Sequence, residues 1–230
     1  YTDIASYGAI VPHVSLRGAA ATQAYVNVDN GLEVMQLLDA GQLAREAGEA
    51  VLTGDGGRDM RQMLVIGEGN QHFAWTGDQC IPWHGHLLGH DHVVGANCIK
   101  SAAVINAISE SFSASAEVEF TLRLIQAIQA GEAAGGHVDT VEVTDDATGA
   151  TTTRPTSEVF GGVMSAAVMV AAPESEMWHN LRVDAHPSAI DELGETYNKA
   201  RHSAERVATF YKGAIRIKPY YWRMAGKPTN

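Results

Sequence analysis

Residues 75–100 read W-T-G-D-Q-C-I-P-W-H-G-H-L-L-G-H-D-H-V-V-G-A-N-C-I-K. The stretch holds His84, His86, His90 and His92, four of the chain's ten histidines, together with both cysteines, Cys80 and Cys98. Side chains that titrate near neutrality seldom crowd among Ile81, Val93, Val94 and Ile99 unless the fold gathers them around something. We read the segment as the wall of a pocket. A β-hairpin precedes it, predicted from residues 62–66 and 72–76, which are separated by G-E-G-N.

Upstream, residues 7–28 are small and apolar with turn chemistry at Pro12 and Gly18, which predicts two strands joined by a turn. From Asn30 the period changes. Leu32, Met35, Leu38, Ala47 and Val51 recur at three- and four-residue intervals, predicting a helix pair around Gly41 that T-G-D-G-G closes at 53–57. On the other side, residues 101–112 place Val104, Ile105, Ile108 and Phe112 on one helical face behind Ser101 as N-cap. Residues 118–130 repeat that pattern ahead of Gly131. Residues 137–158 are Thr-rich and polar, with D-D-A-T-G as a turn, and predict an exposed excursion. Residues 163–171 are small, apolar and uncharged, as a strand buried on both faces would be, and 178–183 are its natural partner. Pro187 then opens a long helix to about Phe210.

Strands in blocks between paired helices predict an α+β fold of sheet-on-sheet layers flanked by helices, within one domain over residues 1–210. No G-x-G-x-x-G or P-loop pattern and no repeat argues otherwise. The formal net charge of -11 disfavours nucleic acid, whose phosphates such a surface repels, and no apolar run reaches the length of a membrane span. Two cysteines in 230 residues fit a reducing cytoplasm. Residues 211–230 depart from the acidic average, with five basic residues, no acidic one, and Tyr220, Tyr221 and Trp222. This basic aromatic arm is expected to make a subunit contact in a homo-oligomer, since Arg and aromatic residues favour interfaces.

Several blocks in order carry a resemblance: A-A-A-T-Q-A-Y-V-N (19–27), G-R-D-M-R-Q (57–62), T-G-D-Q-C-I-P-W-H-G-H (76–86), G-A-N-C-I (95–99), Q-A-G-E-A-A-G-G (129–136), M-S-A-A-V-M-V (164–170) and L-R-V-D-A-H-P (181–187). Together they resemble a bacterial domain-of-unknown-function family assigned an N-terminal-nucleophile (Ntn) hydrolase-like fold. The resemblance implies a four-layer α/β/β/α sandwich of two mainly antiparallel sheets. Family members carry a first strand ahead of the region matching residues 7–12, so the nucleophile is expected upstream of Tyr1. Where the family has an acidic residue after A-G-G this chain has His137, and His84, His90 and His92 look like additions to a histidine matching His86.

The implied activity is amide-bond hydrolysis of a small molecule or peptide, in which a terminal Thr, Ser or Cys attacks the carbonyl and its own amine serves as base. Asn97, His86 and Gln23 are the candidate catalytic residues, Asn97 because a buried amide must find a partner and suits an oxyanion. Thr22, Asn27, Arg61, Asp78 and Trp83 are candidate substrate contacts, with Gln23 and Asn27 on one strand face. Each has a plainer reading as a satisfied hydrogen bond, a surface ion pair or packing, and the cysteines as small buried apolar groups. No cofactor is expected from the Ntn reading. A second reading has His84, His86, His90 and His92 converge on Zn²⁺, with Asp91 hydrogen-bonded to a ligating ring, to activate water. A third is a non-catalytic protein that binds a small ligand in the same fold.

Overall fold

In the computed structural model, residues 1–171 and 179–210 are described. A short 3-10 turn at Tyr7–Ala9 leads into β1 (Pro12–Val14), β2 (Gly18–Ala24), α1 (Val28–Asp39) and α2 (Ala44–Gly54). Next come β3 (Arg61–Gly67), β4 (Gln71–Thr76), β5 (Gly85–Leu88), β6 (Val93–Ala96), α3 (Ala103–Ala114) and α4 (Phe120–Ala133). The chain continues through β7 (Thr140–Thr144), β8 (Thr151–Pro155), α5 (Thr156–Phe160), β9 (Met164–Val170), β10 (His179–His186) and α6 (Ala189–Phe210). Where two strands were expected before residue 28, the first is cut to three residues, because residues 7–9 coil into the 3-10 turn.

Strands β1 to β4 form one antiparallel sheet in chain order, while β9–β10, β5–β6 and β7–β8 pair as separate antiparallel units. The period of two along β2 and β3 sorts the sheet's faces. Ala20, Met63 and Val65 pack with Val34, Leu38, Val51, Leu52 and Phe73 into a core beneath α1 and α2. Met63 is 1% exposed, so its burial contributes about 1.5–3 kcal/mol of transfer free energy. Helix α2 lies flat on Phe73 at Gly48, where a Cβ would come within 2.2 Å of the ring.

A second core joins Ala166, Val168 and Val183 of β9–β10 to Ile125 of α4 and Ile190, Leu193 and Tyr197 of α6. A third joins Val94 of β6 and Ile99 to Val104 and Ile105 of α3. The β5–β6 hairpin packs on the face of β3–β4 turned away from α1 and α2: Gly95 admits Leu64, whose Cδ2 would lie 2.7 Å from a Cβ there. Gly131, expected to close α4, sits inside it, because a Cβ would meet Ile108 Cγ1 at 2.6 Å and only glycine lets α3 and α4 approach so closely. The β7–β8 hairpin turns at residues 145–150 and is largely exposed. No helix among the described residues is long and apolar enough to cross a membrane. The arm at 211–230 lies outside the described residues.

Candidate functional site

A cavity of about 740 Å³ lies among the inner face of the β1–β4 sheet, the β5–β6 hairpin, β9 and the α3–α4 pair. Most of its wall is apolar. Gln23 enters from β2, Asn97 from the end of β6, Asp3 from the leading segment and His137 from the entry to β7.

Gln62 positions Asn97. Its side chain is fully buried, its Nε2 lies 2.8 Å from Thr76 Oγ1, 3.0 Å from the Gly85 carbonyl and 3.1 Å from the Ala96 carbonyl, and its Oε1 accepts from Asn97 Nδ2 at 3.3 Å. Two amide hydrogens among three acceptors means one is shared. The group bolts the β5–β6 hairpin to β3 and spends one of the two Asn97 N–H groups. The backbone turns sharply just beyond, with Cys98 at φ 56. His86 stands behind this network: its Nδ1 lies 2.9 Å from Thr76 Oγ1, and its exposed ring does not line the cavity.

Other candidates are placed elsewhere. Thr22 shares the face of Ala20 and is 3% exposed beneath the helices, its Oγ1 without a partner. Asn27 is not on the strand face of Gln23, because β2 ends at Ala24 and Asn27 caps α1, accepting from Asp29 N–H at 3.1 Å. Arg61 is occupied by Asp55 through its Nε and by the Tyr25 carbonyl through its Nη1, with its side chain 14% exposed and Asp55 at 7%. Burial pushes the Asp55 carboxyl up, but hydrogen bonds from Arg61, Asn30 and Gly57 together hold it below the ordinary value. Asp78 and Trp83 are exposed, and neither lines the cavity.

The four histidines do not converge. His84 Nδ1 donates to the Cys80 carbonyl at 2.7 Å, His86 turns to Thr76, His90 is exposed, and His92 is buried against Phe112 with ring centroids 4.9 Å apart. Among the described residues no three His, Cys, Asp or Glu side chains form a group able to hold a metal ion. Three of the rings take separate partners, His84 the Cys80 carbonyl, His86 Thr76 on β4 and His92 Ser109 on α3. Cys80 and Cys98 are free and buried; burial, then the Asp3 charge, pushes the Cys98 thiol up to about 11, so it stays protonated at neutral pH.

Two arrangements join segments that lie apart in sequence. His137 Nδ1 lies 3.0 Å from Asp3 Oδ1, with the ring edge-on to Tyr1 at 4.9 Å. Isolated bridges Ile99–His137 and Thr2–Ser165 bring these distant segments together. At the other end of β6, His92 Nδ1 lies 3.2 Å from Asp91 Oδ1 and its Nε2 2.7 Å from Ser109 Oγ on α3. The adjacency of Asp91 and His92 was the only visible hint.

A family model described as "Family of unknown function (DUF1028)" matches residues 1–144. Among solved structures, that of protein SPO2555 from Silicibacter pomeroyi, labelled with the same family model, is 28% identical. It superposes with a TM-score of 0.71 over 86% of this chain and 77% of that one. No curated protein matches significantly.

Proposed function

The chain belongs to DUF1028, a family of unknown function, and from that premise we propose that it hydrolyses a C–N amide bond of a small molecule or short peptide held in the cavity. We read the fold as a four-layer α/β/β/α sandwich of the Ntn-hydrolase type. In support, α1 and α2 cover one face of the β1–β4 sheet while α4 and α6 pack against β9–β10.

The observation that carries the activity is Asn97. Its carboxamide is braced through Gln62 while it lines the cavity, so its second N–H is pre-aimed at a bound carbonyl oxygen. Gln23 enters the same cavity from β2 and orients the rest of the amide. His137, whose Nδ1–H donates to Asp3, takes at Nε2 a proton from the water that attacks the carbonyl carbon and gives it to the departing amine as the C–N bond breaks. The apolar remainder of the wall suits a substrate with a hydrophobic acyl or side-chain portion.

The test is mass-spectrometric detection of free amine released from a panel of N-acyl amides, lactams and dipeptides by wild type and Asn97→Ala. Turnover that falls roughly 10²–10³-fold in the variant is expected for loss of an oxyanion donor. Retention of a panel member in native mass spectra without amine release would instead establish a non-catalytic ligand-binding protein.

A further inference from the structure

At the end of the cavity away from Asn97, where Asp91 and His92 line the wall, there is a second chemical arrangement, whose third member, Ser109, lies against His92 outside that lining. Three groups stand in a line: Ser109 Oγ lies 2.7 Å from His92 Nε2, and His92 Nδ1 lies 3.2 Å from Asp91 Oδ1. The carboxylate accepts the Nδ1 hydrogen, which leaves Nε2 with its lone pair toward the hydroxyl. That is the tautomer a serine nucleophile requires.

The surroundings hold each member in place. His92 is 9% exposed, its ring against Phe112 and seated over Gly89, where a Cβ would come within 2.1 Å of it. Asp91 is braced from its other oxygen by Arg123 Nη2 at 3.6 Å. Arg123 is itself fixed by donation from Nε to the Phe112 carbonyl at 2.7 Å and by its guanidinium 3.5 Å over the Phe112 ring. Ser115, just past the end of α3, donates back to the Ser111 carbonyl at 2.7 Å, the habit of helical serines. The Ser109 hydroxyl is instead paired with an imidazole, and the residue is partly accessible rather than sealed.

We propose that Ser109, His92 and Asp91 form an acyl-transfer site whose substrates are esters or other activated acyl compounds with an apolar acyl group. Ile108, Phe112 and Phe120, which line this part of the cavity, receive that group. Ser109 Oγ attacks the carbonyl carbon while its proton passes to His92 Nε2. The tetrahedral adduct collapses, the C–O bond to the leaving alcohol breaks, and the imidazolium returns the proton to that oxygen. Water then attacks the acyl-serine, giving its proton to His92. The free acid departs, and the hydroxyl is restored. Backbone N–H groups inside α3 are committed to the helix, so a side chain must hold the oxyanion, and exposed Asn106, one turn earlier, is placed for that task. This site has its own nucleophile and base and does not rest on the amide-hydrolase reading.

The experiment is incubation of the full chain with an alkyl fluorophosphonate, followed by intact-mass and peptide mapping, alongside hydrolysis of p-nitrophenyl butyrate. One phosphonyl adduct on Ser109 is expected, with ester hydrolysis blocked in step with labelling. Ser109→Ala removes both, and because alanine is the best helix former this variant keeps the fold, checked by its melting temperature. His92→Gln, which keeps the size but not the base, slows labelling roughly 10²–10⁴-fold. No adduct on folded wild type, an adduct on any other residue, or an unchanged rate in His92→Gln overturns the proposal.

Discussion

Two imidazole–carboxylate pairs face the same cavity from opposite ends of β6, a strand of four residues and so roughly 13 Å long. His137 meets Asp3 at 3.0 Å, and His92 meets Asp91 at 3.2 Å. The pairs differ in what the second ring nitrogen finds. At the His92 end it meets the hydroxyl of Ser109, whereas at the His137 end the ring stands edge-on to Tyr1 in the cavity that Asn97 and Gln23 also line. As proposed, one end pairs a base with a nucleophile on α3. The other, as proposed, pairs a base with donors for a carbonyl. The same pair of side chains supports different chemistry because the third partner differs, and that partner comes from a helix in one case and a strand end in the other.

The largest expected effect separates the two ends directly. His92→Gln lowers phosphonylation of Ser109 by roughly 10²–10⁴-fold, while His137→Gln leaves that rate within about twofold of wild type. Equal losses in the two variants would mean the ends work as one site. Next in size is Asn97→Ala, with its roughly 10²–10³-fold loss of amide turnover and no change in Ser109 labelling. Labelling that falls with it would collapse the distinction from the other side.

A third prediction concerns a charge pair outside both ends. Breaking the Asp55–Arg61 pair by Arg61→Ala costs about 3–5 kcal/mol, since it strands a carboxylate that is 7% exposed, read as a drop in denaturation midpoint. Because the folded Asp55 carboxyl lies below its ordinary value, its contribution is complete above the unfolded pKa of about 4 and disappears as pH falls through the folded value. Acid titration of Asp55→Asn should therefore show a shallower loss of stability below about pH 4 than wild type. The smallest effect is at Thr22. Its buried Oγ1 has no partner, so Thr22→Val changes stability by less than about 1 kcal/mol and leaves both chemical readouts unchanged.

Local patterning made much of the scaffold legible. The alternation at residues 62–66 and 72–76 reappears as β3 and β4, the uncharged run at 163–171 as β9, and the pattern after Pro187 as α6. These elements owe their form to periodicity and turn chemistry, which neighbours in sequence determine. Asn27 escaped because strand alternation was carried past Ala24, and a residue whose side chain accepts from the second amide beyond it is a helix cap. Gly131 escaped because its role is interhelical contact, which a single sequence does not display.

The site was legible only in part. Asn97 stood out because a buried amide needs a partner and Gln23 because strand alternation set it on one face of β2, and both line the cavity. The histidine cluster was visible as composition but misleading as geometry: the rings of His84 and His86 turn to separate neighbours, and only His92 of the four faces the cavity. Gln62, the hub of the Asn97 network, reads in sequence as an ordinary strand residue. Asp3 and His137 lie 134 residues apart, and Ser109 is an unremarked polar position on α3 until the helix folds back over β6. Such pairs are made by tertiary packing, where neither spacing nor propensity points to them.

As proposed, a small amide is bound and cleaved in the cavity between the sheets, with Asn97 holding its carbonyl oxygen. The most direct measurement is the rate of free-amine release by wild type and Asn97→Ala, at matched folded concentration, over one panel of N-acyl amides, lactams and dipeptides. Release by wild type with a loss of at least about 100-fold in the variant is the predicted result. Release at equal rates by the two proteins, or none by wild type from any panel member, would contradict it.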